Sequence, residues 1–149
     1  MMLSFSEPIF VKILLPEEPY LTREKAMVEV PTDKGPYMIL PQRAPAMFLL
    51  EDGPLKLYET VNSKPEVYFI AKGIVKIRDN GCTVLTRRVI ALKEANLNDI
   101  KNEIATTETQ IEKENLGETE NGGFHRLKLQ NDKLSFLKTV AGYLDKKTG

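Results

Sequence analysis

The stretch IVKIRDNGCTVLT, residues 74–86, decides the fold of this chain. Two runs rich in β-branched residues, 74–77 and 83–86, flank the turn signal Asp79-Asn80-Gly81. β-Branched side chains favour extended backbone, and an Asn-Gly pair accepts positive φ angles at little steric cost. The sequence therefore predicts an antiparallel β-hairpin here.

Similar short runs of β-branched and aromatic residues precede this hairpin. Proline, glycine, asparagine and aspartate lie between them, as is typical of turns. The further predicted strands are 9–15, 26–30, 37–40, 47–50, 55–58 and 67–71. Because many short strands follow one another without intervening helices, we expect an antiparallel β-sandwich over residues 1–88.

The remainder of the chain, residues 89–149, has a helical pattern. All nine prolines lie at or before Pro65, so the strongest helix breaker is absent from this part. Apolar residues recur there at helical spacing in two stripes: Leu97, Ile100, Ile104 and Ile111, then Leu127, Leu134, Leu137, Ala141 and Leu144. The glycine-bearing segment 115–123 separates the stripes and predicts a loop. The predicted fold class is α+β, with a sandwich domain (1–88) and an antiparallel two-helix hairpin (89–149).

The predicted hairpin has little apolar surface for its length. Burial of a few large aliphatic side chains does not offset the conformational entropy lost on ordering two helices. We therefore expect the hairpin to depend on the sandwich or on a partner, and to be detachable.

The composition excludes several classes of protein. The 149 residues carry 21 basic and 21 acidic side chains, so no general positive field attracts a nucleic acid. The sequence shows no secretory signal and no apolar run long enough for a membrane span. A single cysteine, Cys82, fits a reducing compartment. We expect an intracellular protein without disulfides.

Residues that carry enzyme chemistry are scarce. Neither common glycine-rich nucleotide loop occurs, and Cys82 and His125 are the only residues of their types. A Cys–His nucleophile pair or a metal site would need them to meet, whereas each is typical of an ordinary strand or helix-start residue. The carboxylate pairs Glu17-Glu18 and Glu51-Asp52 fall in predicted turns. No catalytic residue and no metal ligand is predicted.

Basic residues mark two places in the chain. Arg87-Arg88 ends the last predicted strand, and the last predicted helix carries Arg126, Lys128, Lys133 and Lys138. Two interpretations stay open for these charges. They form either a solvated face or a basic surface that docks on an acidic partner.

The segment VPTDKGPYMILPQRAP, residues 30–45, resembles the sandwich of the epsilon subunit of F-type ATP synthase, which is called delta in mitochondria. The matching positions are Gly35, Ile39, Leu40, Pro41, Ala44 and Pro45. Residues 53–57, 69–77 and 83–85 are similar to later strands of that family, in which a helical hairpin follows. The departures are Met38, Gln42 and Lys72 in place of glycine and Arg43 in place of histidine, so the resemblance is to a divergent member.

The resemblance implies a non-catalytic central-stalk subunit of a proton-translocating, rotary ATP synthase. Its partners would be the gamma subunit, the membrane ring and, through the hairpin, the catalytic subunits. The ring-facing loop would comprise Lys34, Gly35, Pro36, Gln42 and Arg43, and the hairpin would inhibit ATP hydrolysis through Arg126, Lys128, Lys133 and Lys138. The resemblance also implies a peripheral location on the cytoplasmic face of the plasma membrane, or on the matrix face in an organelle.

The sequence predicts no cofactor. Some bacterial members of the family bind ATP between the helices through a motif like Ile/Leu-Asp-x-x-Arg-Ala. Residues 97–102, LNDIKN, keep only Leu97 and a lysine in place of the arginine. This argues against ATP binding between the helices.

Two other functions are alternatives at this point. One is a soluble adaptor with the same architecture, in which the sandwich and the hairpin bind different proteins. The other is a small hydrolase with a carboxylate site that the sequence does not reveal. The first would be recognised by partners unrelated to ATP synthase.

Overall fold

A computed structural model describes residues 7–116 and 123–148 of the chain. The chain divides into two compact units, Met1–Lys93 and Glu94–Gly149. The first unit contains the strands and the second contains two helices.

The first unit is built from ten strands. They are β1 (Ile9–Leu14), β2 (Pro19–Lys25), β3 (Met27–Thr32), β4 (Gly35–Ile39), β5 (Ala46–Leu50), β6 (Gly53–Tyr58), β7 (Glu66–Ile70), β8 (Gly73–Arg78), β9 (Gly81–Thr86) and β10 (Val89–Ala91). All eight predicted strands are present, with ends that differ by one or two residues. A short 3₁₀ turn, Leu92–Glu94, follows β10.

These strands form two five-stranded sheets. Sheet A has the order β2-β1-β9-β8-β5, and sheet B has the order β10-β7-β6-β3-β4. Neighbouring strands are antiparallel except for β1 and β9, which pair in parallel. The predicted β-sandwich is confirmed, with one parallel pair that no local pattern signals.

The core lies between the sheets and follows from alternation along each strand. In β1, Ile9, Val11 and Ile13 are buried, whereas Phe10 and Lys12 face outward. Successive side chains of a strand point to opposite faces, so every second residue can be apolar without exposure. The other strands supply the rest of this core, including Val28, Val30, Ile39, Leu55, Leu57, Tyr68, Ile70, Val75, Ile77 and Val84.

The strands β2 and β10 were not predicted. β2 has the sequence PYLTREK and lies at the edge of sheet A, where a strand buries little, so its apolar alternation is weak. β10 has only three residues, Val89–Ala91, and falls in the segment predicted to be helical. It pairs with β7 and continues sheet B, and this pairing depends on tertiary structure.

The β8–β9 hairpin has the predicted turn, but the residues with positive φ angles are not the predicted pair. Positive φ angles occur at Asp79 (51°) and Asn80 (61°), as in a type I′ turn, and Gly81 is the first residue of β9. The prediction had placed the Asn-Gly pair in that role. Aspartate and asparagine adopt this conformation because their short polar side chains accept it more readily than most.

The second unit contains α1 (Leu97–Leu116) and α2 (Gly123–Thr148), which pack against each other. The two predicted helices are confirmed, and part of the predicted loop, residues 117–122, lies outside the described residues. The helix α1 buries Ile100 and Thr107. The helix α2 buries Phe136 and Val140 in addition to Leu137, Ala141 and Leu144 of the predicted stripe. No helix of the described residues is long and apolar enough to span a membrane.

Thr107 fills a gap in the predicted stripe of α1. With it, the inward positions 97, 100, 104, 107 and 111 repeat at alternating steps of three and four. The side chain is only 1% exposed, and its hydroxyl donates a 2.8 Å hydrogen bond to the carbonyl of Glu103. The sequence pattern missed this position because threonine is not apolar.

We predict that Gly73→Ala destabilises the sandwich by at least about 2 kcal/mol. A Cβ at Gly73 would lie 2.0 Å from the carbonyl oxygen of Leu85, so β8 and β9 would have to separate. Denaturant unfolding followed by tyrosine fluorescence measures this loss. Gly53→Ala is the control, because its Cβ would lie 3.0 Å from the Pro31 side chain, and a smaller loss is expected. Equal stability of both variants would contradict the prediction.

Candidate interaction surfaces

The single cysteine lies in the sandwich and the single histidine lies in the hairpin. Cys82 is buried on the inner face of β9, and burial raises the pKa of its thiol to about 12. His125 is exposed near the start of α2. Among the described residues, no group of three or more histidine, cysteine, aspartate or glutamate side chains is arranged to hold a metal ion.

The carboxylate pairs of the predicted turns have ordinary settings. Glu17 and Glu18 are exposed between β1 and β2. Asp52 accepts a 2.9 Å hydrogen bond from the backbone N–H of Lys72, which ties the β5–β6 turn to the β7–β8 turn. Asp52 therefore has a structural role in these turns.

The turn between β3 and β4 presents Lys34 and Pro36 to solvent. Gly35 has a φ of 104°, a conformation that residues with a Cβ rarely adopt. The Thr32 hydroxyl donates a 2.7 Å hydrogen bond to the carbonyl of Gly35 and accepts one of 3.2 Å from the N–H of Lys34. The turn is therefore held in one shape by its own residues.

The loop after β4 carries Gln42 and Arg43. Gln42 has a φ of 64°, and its backbone N–H donates a 2.6 Å hydrogen bond to Oδ1 of Asn80. Its side-chain amide, together with that of Asn80, donates to the carboxylate of Glu7 at 3.2 and 3.1 Å. These contacts join the loop to the β8–β9 turn of sheet A.

Arg43 turns back along β4 and does not extend into solvent. Its guanidinium carbon lies 5.0 Å from the centre of the Tyr37 ring, and an N–H of the guanidinium donates a hydrogen bond to the Tyr37 hydroxyl. The Tyr37 ring packs in turn on Phe48, with ring centres 4.8 Å apart. The charge of Arg43 is therefore held in place by an aromatic pair.

The two predicted ring-facing segments lie at opposite ends of one strand. The segment Lys34–Pro36 is at the start of β4, and Gln42 and Arg43 follow its end at Ile39. A strand of this length separates its ends by roughly 13 Å. The free edge of β4, which is the last strand of sheet B, runs between the two segments.

An apolar row, which was not predicted, crosses the outer face of sheet A. It consists of Leu14, Leu85, Ile74 and Leu49, which are aligned as direct neighbours across β1, β9, β8 and β5. Leu49 is 73% exposed, and Met47, two residues earlier in β5, is 62% exposed. Only the register of four strands brings these side chains together, so no local sequence pattern reveals the row.

The surroundings of the apolar row are basic. The adjacent row across the same four strands is Lys12, Thr83, Lys76 and Met47. Lys72 and Arg87 lie on the other side of the apolar row. A groove of about 530 Å³ opens there beside Leu14, Ile74 and Leu85. None of the eight side chains in the two rows is acidic. This face therefore suits an apolar surface that carries negative charge at its margin.

A charged cluster connects the edges of the two sheets. Lys25 at the end of β2 forms ion pairs with Glu59 (2.6 Å) and Glu66 (3.1 Å). The Tyr68 hydroxyl donates a 2.9 Å hydrogen bond to Glu66, and Arg23 lies 3.7 Å from the same carboxylate. Because β2 belongs to sheet A and β7 to sheet B, these contacts hold the sandwich together at this edge.

The cluster perturbs three acid–base equilibria. Burial alone would raise the pKa of Glu66, but Lys25, Tyr68 and Arg23 outweigh it, so this pKa is lowered. Burial alone would lower the pKa of Lys25, but its contacts with Glu59 and Glu66 outweigh it, so this pKa is raised. Burial and the hydrogen bond to Glu66 raise the pKa of Tyr68 to about 12. All three shifts favour the paired state at neutral pH.

The four basic residues of α2 make ion pairs within the hairpin. Arg126 pairs with Glu114 (3.5 Å), Lys133 with Glu103 (3.7 Å) and Lys138 with Glu108 (3.5 Å), in each case across to α1. Lys128 pairs with Asp132 of α2 itself, at 3.4 Å. Successive helix residues turn by about 100°, so Lys128 lies on the opposite side of α2 from Arg126. The four residues are not one continuous patch.

The segment that corresponds to the nucleotide motif is an ordinary helix start. Oδ1 of Asn96 accepts a 3.0 Å hydrogen bond from the N–H of Asp99, and Ile100 is buried. An asparagine that bonds to the third residue of a helix is a standard N-cap. The side chains at 97–102 thus start and anchor α1.

The sandwich matches a known protein family. A model described as the ATP synthase, Delta/Epsilon chain, beta-sandwich domain covers residues 8–92, more than half of the chain. The chain belongs to the ATP synthase delta/epsilon chain family. The family prediction from the sequence is therefore confirmed, and it favours the ATP synthase interpretation over the adaptor and hydrolase alternatives.

Similar proteins show how far this member of the family has diverged. The ATP synthase epsilon chain of Granulibacter bethesdensis is 30% identical over 98 residues, which cover 66% of this chain and 72% of the relative. That of Gluconacetobacter diazotrophicus is 27% identical over 106 residues, covering 71% and 74%.

Solved structures share the fold. A chain in the mitochondrial ATP synthase of Euglena gracilis matches with a TM-score of 0.65 at 14% identity, covering 94% of this chain and 83% of the other. A chain in the central stalk and c-ring structure of Tetrahymena thermophila ATP synthase matches with a TM-score of 0.52 at 17% identity, covering 89% and 96%.

One departure from the family pattern has a physical consequence. Gln42 stands where the family resemblance has glycine, and its φ of 64° is the conformation that glycine adopts without cost. A residue with a Cβ loses about 1 kcal/mol or more there. The bonds from the loop to Asn80 and Glu7 offset this loss.

We predict that the stability contributed by Glu66 is lost in acid. Its folded pKa is lowered, so the contribution is complete above the ordinary glutamate pKa of about 4.3 and disappears as the pH falls through the folded value. The Lys25 contribution, with a raised pKa, is lost only at high pH. The melting temperature of Glu66→Gln should therefore lie below that of the parent at neutral pH, and the gap should shrink below about pH 4.

Glu24→Gln is the matched control for this measurement, because Glu24 is an exposed carboxylate on β2, next to Lys25 but outside the cluster. Its melting temperature should follow that of the parent at every pH. A gap for Glu66→Gln that does not change with pH would contradict the prediction.

Proposed function

We propose that this chain is the epsilon-type, non-catalytic subunit of the central stalk of a proton-translocating ATP synthase. The observation that carries the proposal is the family match over the whole sandwich, residues 8–92. The sandwich would couple the gamma subunit to the membrane ring, and the hairpin would restrain ATP hydrolysis. Such a role needs binding surfaces and no catalytic groups.

The gamma subunit would dock on the outer face of sheet A. Covering an exposed aliphatic side chain removes apolar surface from water and contributes about 1–2 kcal/mol, and Leu49 and Met47 offer the most surface to cover. Contiguous exposed apolar patches of this kind mark protein–protein interfaces. The basic margin formed by Lys12 and Lys76 would orient a partner that carries acidic residues beside its apolar surface.

The membrane ring would contact the free edge of β4. At one end of this edge are Lys34, Gly35 and Pro36, and at the other are Gln42 and Arg43. The hydrogen bonds within the turn and the contact of Arg43 with Tyr37 organise both segments before binding. Preorganised groups lose less conformational entropy when a partner binds.

The location of the chain would follow from these partners. It would lie at the membrane periphery, held there by the ring and gamma. In a bacterium this is the cytoplasmic face of the plasma membrane, and in an organelle it is the matrix face.

The hairpin would obstruct rotation during ATP hydrolysis by contact with the catalytic subunits. Arg126, Lys128, Lys133 and Lys138 supply the positive charges for that contact, and all four are at the surface of the hairpin. The ion pairs that they make within the hairpin are exposed and weak, so a partner can replace them.

Two substitutions that introduce a carboxylate should separate the docking surfaces. Leu49→Glu places a carboxylate in the apolar row and should reduce co-purification of gamma by tenfold or more, about 1.4 kcal/mol. Arg43→Glu should leave gamma binding intact and weaken proton pumping driven by ATP in membranes. Val61→Glu is the control, since Val61 is 69% exposed but lies outside both surfaces, in the β6–β7 loop. If Val61→Glu has the same effect as Leu49→Glu, the assignment of the gamma surface is wrong.

Replacing Arg126, Lys128, Lys133 and Lys138 together with alanine should raise ATP hydrolysis by the membrane-bound complex and leave ATP synthesis largely unchanged. The effect should be larger at low salt, because exposed charges are then less screened. A double variant, Lys101→Ala with Lys113→Ala, is the control on α1. Unchanged hydrolysis in the fourfold variant, or an equal rise in the control, would remove the inhibitory role.

A further inference from the structure

The carboxylates of α1 are placed against the basic residues of α2. Three of the basic residues, Arg126, Lys133 and Lys138, have a glutamate of α1 within 3.7 Å. The partners are spread over most of α1: Glu103, Glu108 and Glu114. In the closed hairpin, α1 therefore presents an acidic helix surface to α2. A docking partner would present the same kind of surface.

The contact between the helices is polar in its middle as well as at its margins. Thr107 occupies a buried inward position of α1, and on α2 the side-chain oxygen of Gln130 is buried without a hydrogen-bond donor among the described residues. Polar groups at inward positions reduce the stability of a helix pair while keeping its register. The helices also bury apolar side chains, among them Ile100, Phe136 and Leu137. The ion pairs at the margins of the contact, by contrast, are exposed, and other groups can replace them.

We propose that Glu103, Glu108 and Glu114 act as an internal competitor that occupies Lys133, Lys138 and Arg126, respectively, whenever the hairpin is closed. This inference rests on the proposed inhibitory role of the basic residues and adds its regulation. An acidic surface of the catalytic subunits must displace the glutamates of α1 before it can bind. The strength of inhibition then depends on the difference in free energy between the ion pairs with α1 and the ion pairs with the catalytic subunits.

The magnitudes suit such a competition. An exposed ion pair shifts an equilibrium by roughly twofold to fivefold, so three pairs together can suppress partner binding without preventing it. A buried pair would be too costly to break and would fix the hairpin in one state. The side chains of Glu103 and Glu108 are about half exposed, which leaves them open to exchange.

The test measures binding of a fluorescent polyglutamate peptide to the full chain at low salt. Polyglutamate stands for an acidic surface and needs no knowledge of the partner. Glu103→Gln/Glu108→Gln/Glu114→Gln should bind it at least about fivefold more tightly than the parent. The gain should disappear when Arg126, Lys133 and Lys138 are also replaced by alanine. Helix content from circular dichroism verifies that each variant keeps the hairpin.

A single-site comparison separates ion pairing from net charge. Glu108→Gln and Glu112→Gln remove the same charge from the same helix, four residues apart. Of these two glutamates, only Glu108 has an ion pair with a basic side chain among the described residues. Glu108→Gln should tighten polyglutamate binding by about twofold or more, and Glu112→Gln should not. Equal effects would show that only net charge matters and would overturn the proposal.

The same triple glutamine variant should lower ATP hydrolysis in the assembled complex, because the inhibitory charges are no longer masked. If the fourfold alanine variant raises hydrolysis but the glutamine variant neither lowers it nor binds polyglutamate more tightly, the competitor proposal is wrong and the inhibitory role stands. If the glutamine variant binds polyglutamate more tightly but neither variant alters hydrolysis, the competition is supported and the inhibitory role fails.

Discussion

The close approach of β8 and β9 at Gly73 is the constraint on which the rest of the sandwich depends. A Cβ at this position would lie 2.0 Å from the carbonyl oxygen of Leu85, so only glycine allows the strands to pair in this register. That register aligns Ile74 with Leu85 on the outside and Val75 with Val84 inside. A shift of one residue would exchange the two faces, burying the docking row and exposing the core. The register of β8 and β9 therefore determines both the core and the proposed gamma surface.

Divergence from the family pattern is matched by local contacts. Gln42 has the left-handed backbone of the glycine that it replaces, and the side chains of Asn80 and Glu7 hold it there. Arg43 replaces a histidine and is fixed by the ring of Tyr37. In both places contacts within the sandwich fix the shape of the loop although the residues depart from the family pattern.

The two units are stabilised in different ways, and this difference suits different roles. The sandwich has a continuous aliphatic core, closed at one edge by the cluster of Lys25, Glu66 and Tyr68. The hairpin combines a smaller set of buried apolar side chains with exposed ion pairs, a buried Thr107 and a buried amide oxygen of Gln130. Apolar burial resists rearrangement because it must be lost as a whole, whereas exposed polar contacts exchange one at a time. The sandwich is built to hold a position and the hairpin to change partners.

The sequence by itself determined the fold class, eight of the strands, both helices and the family, because alternation, turn residues and helical spacing are local properties. It also placed Cys82 in a strand and His125 near the start of a helix. Tertiary structure alone decided β2 and β10, whose short or charged sequences become strands only by pairing with neighbours. It alone assembled the apolar row of sheet A, whose four members are far apart along the chain, and set the glutamates of α1 against the basic residues of α2. Register and the packing of distant segments create these surfaces, and no local pattern encodes them.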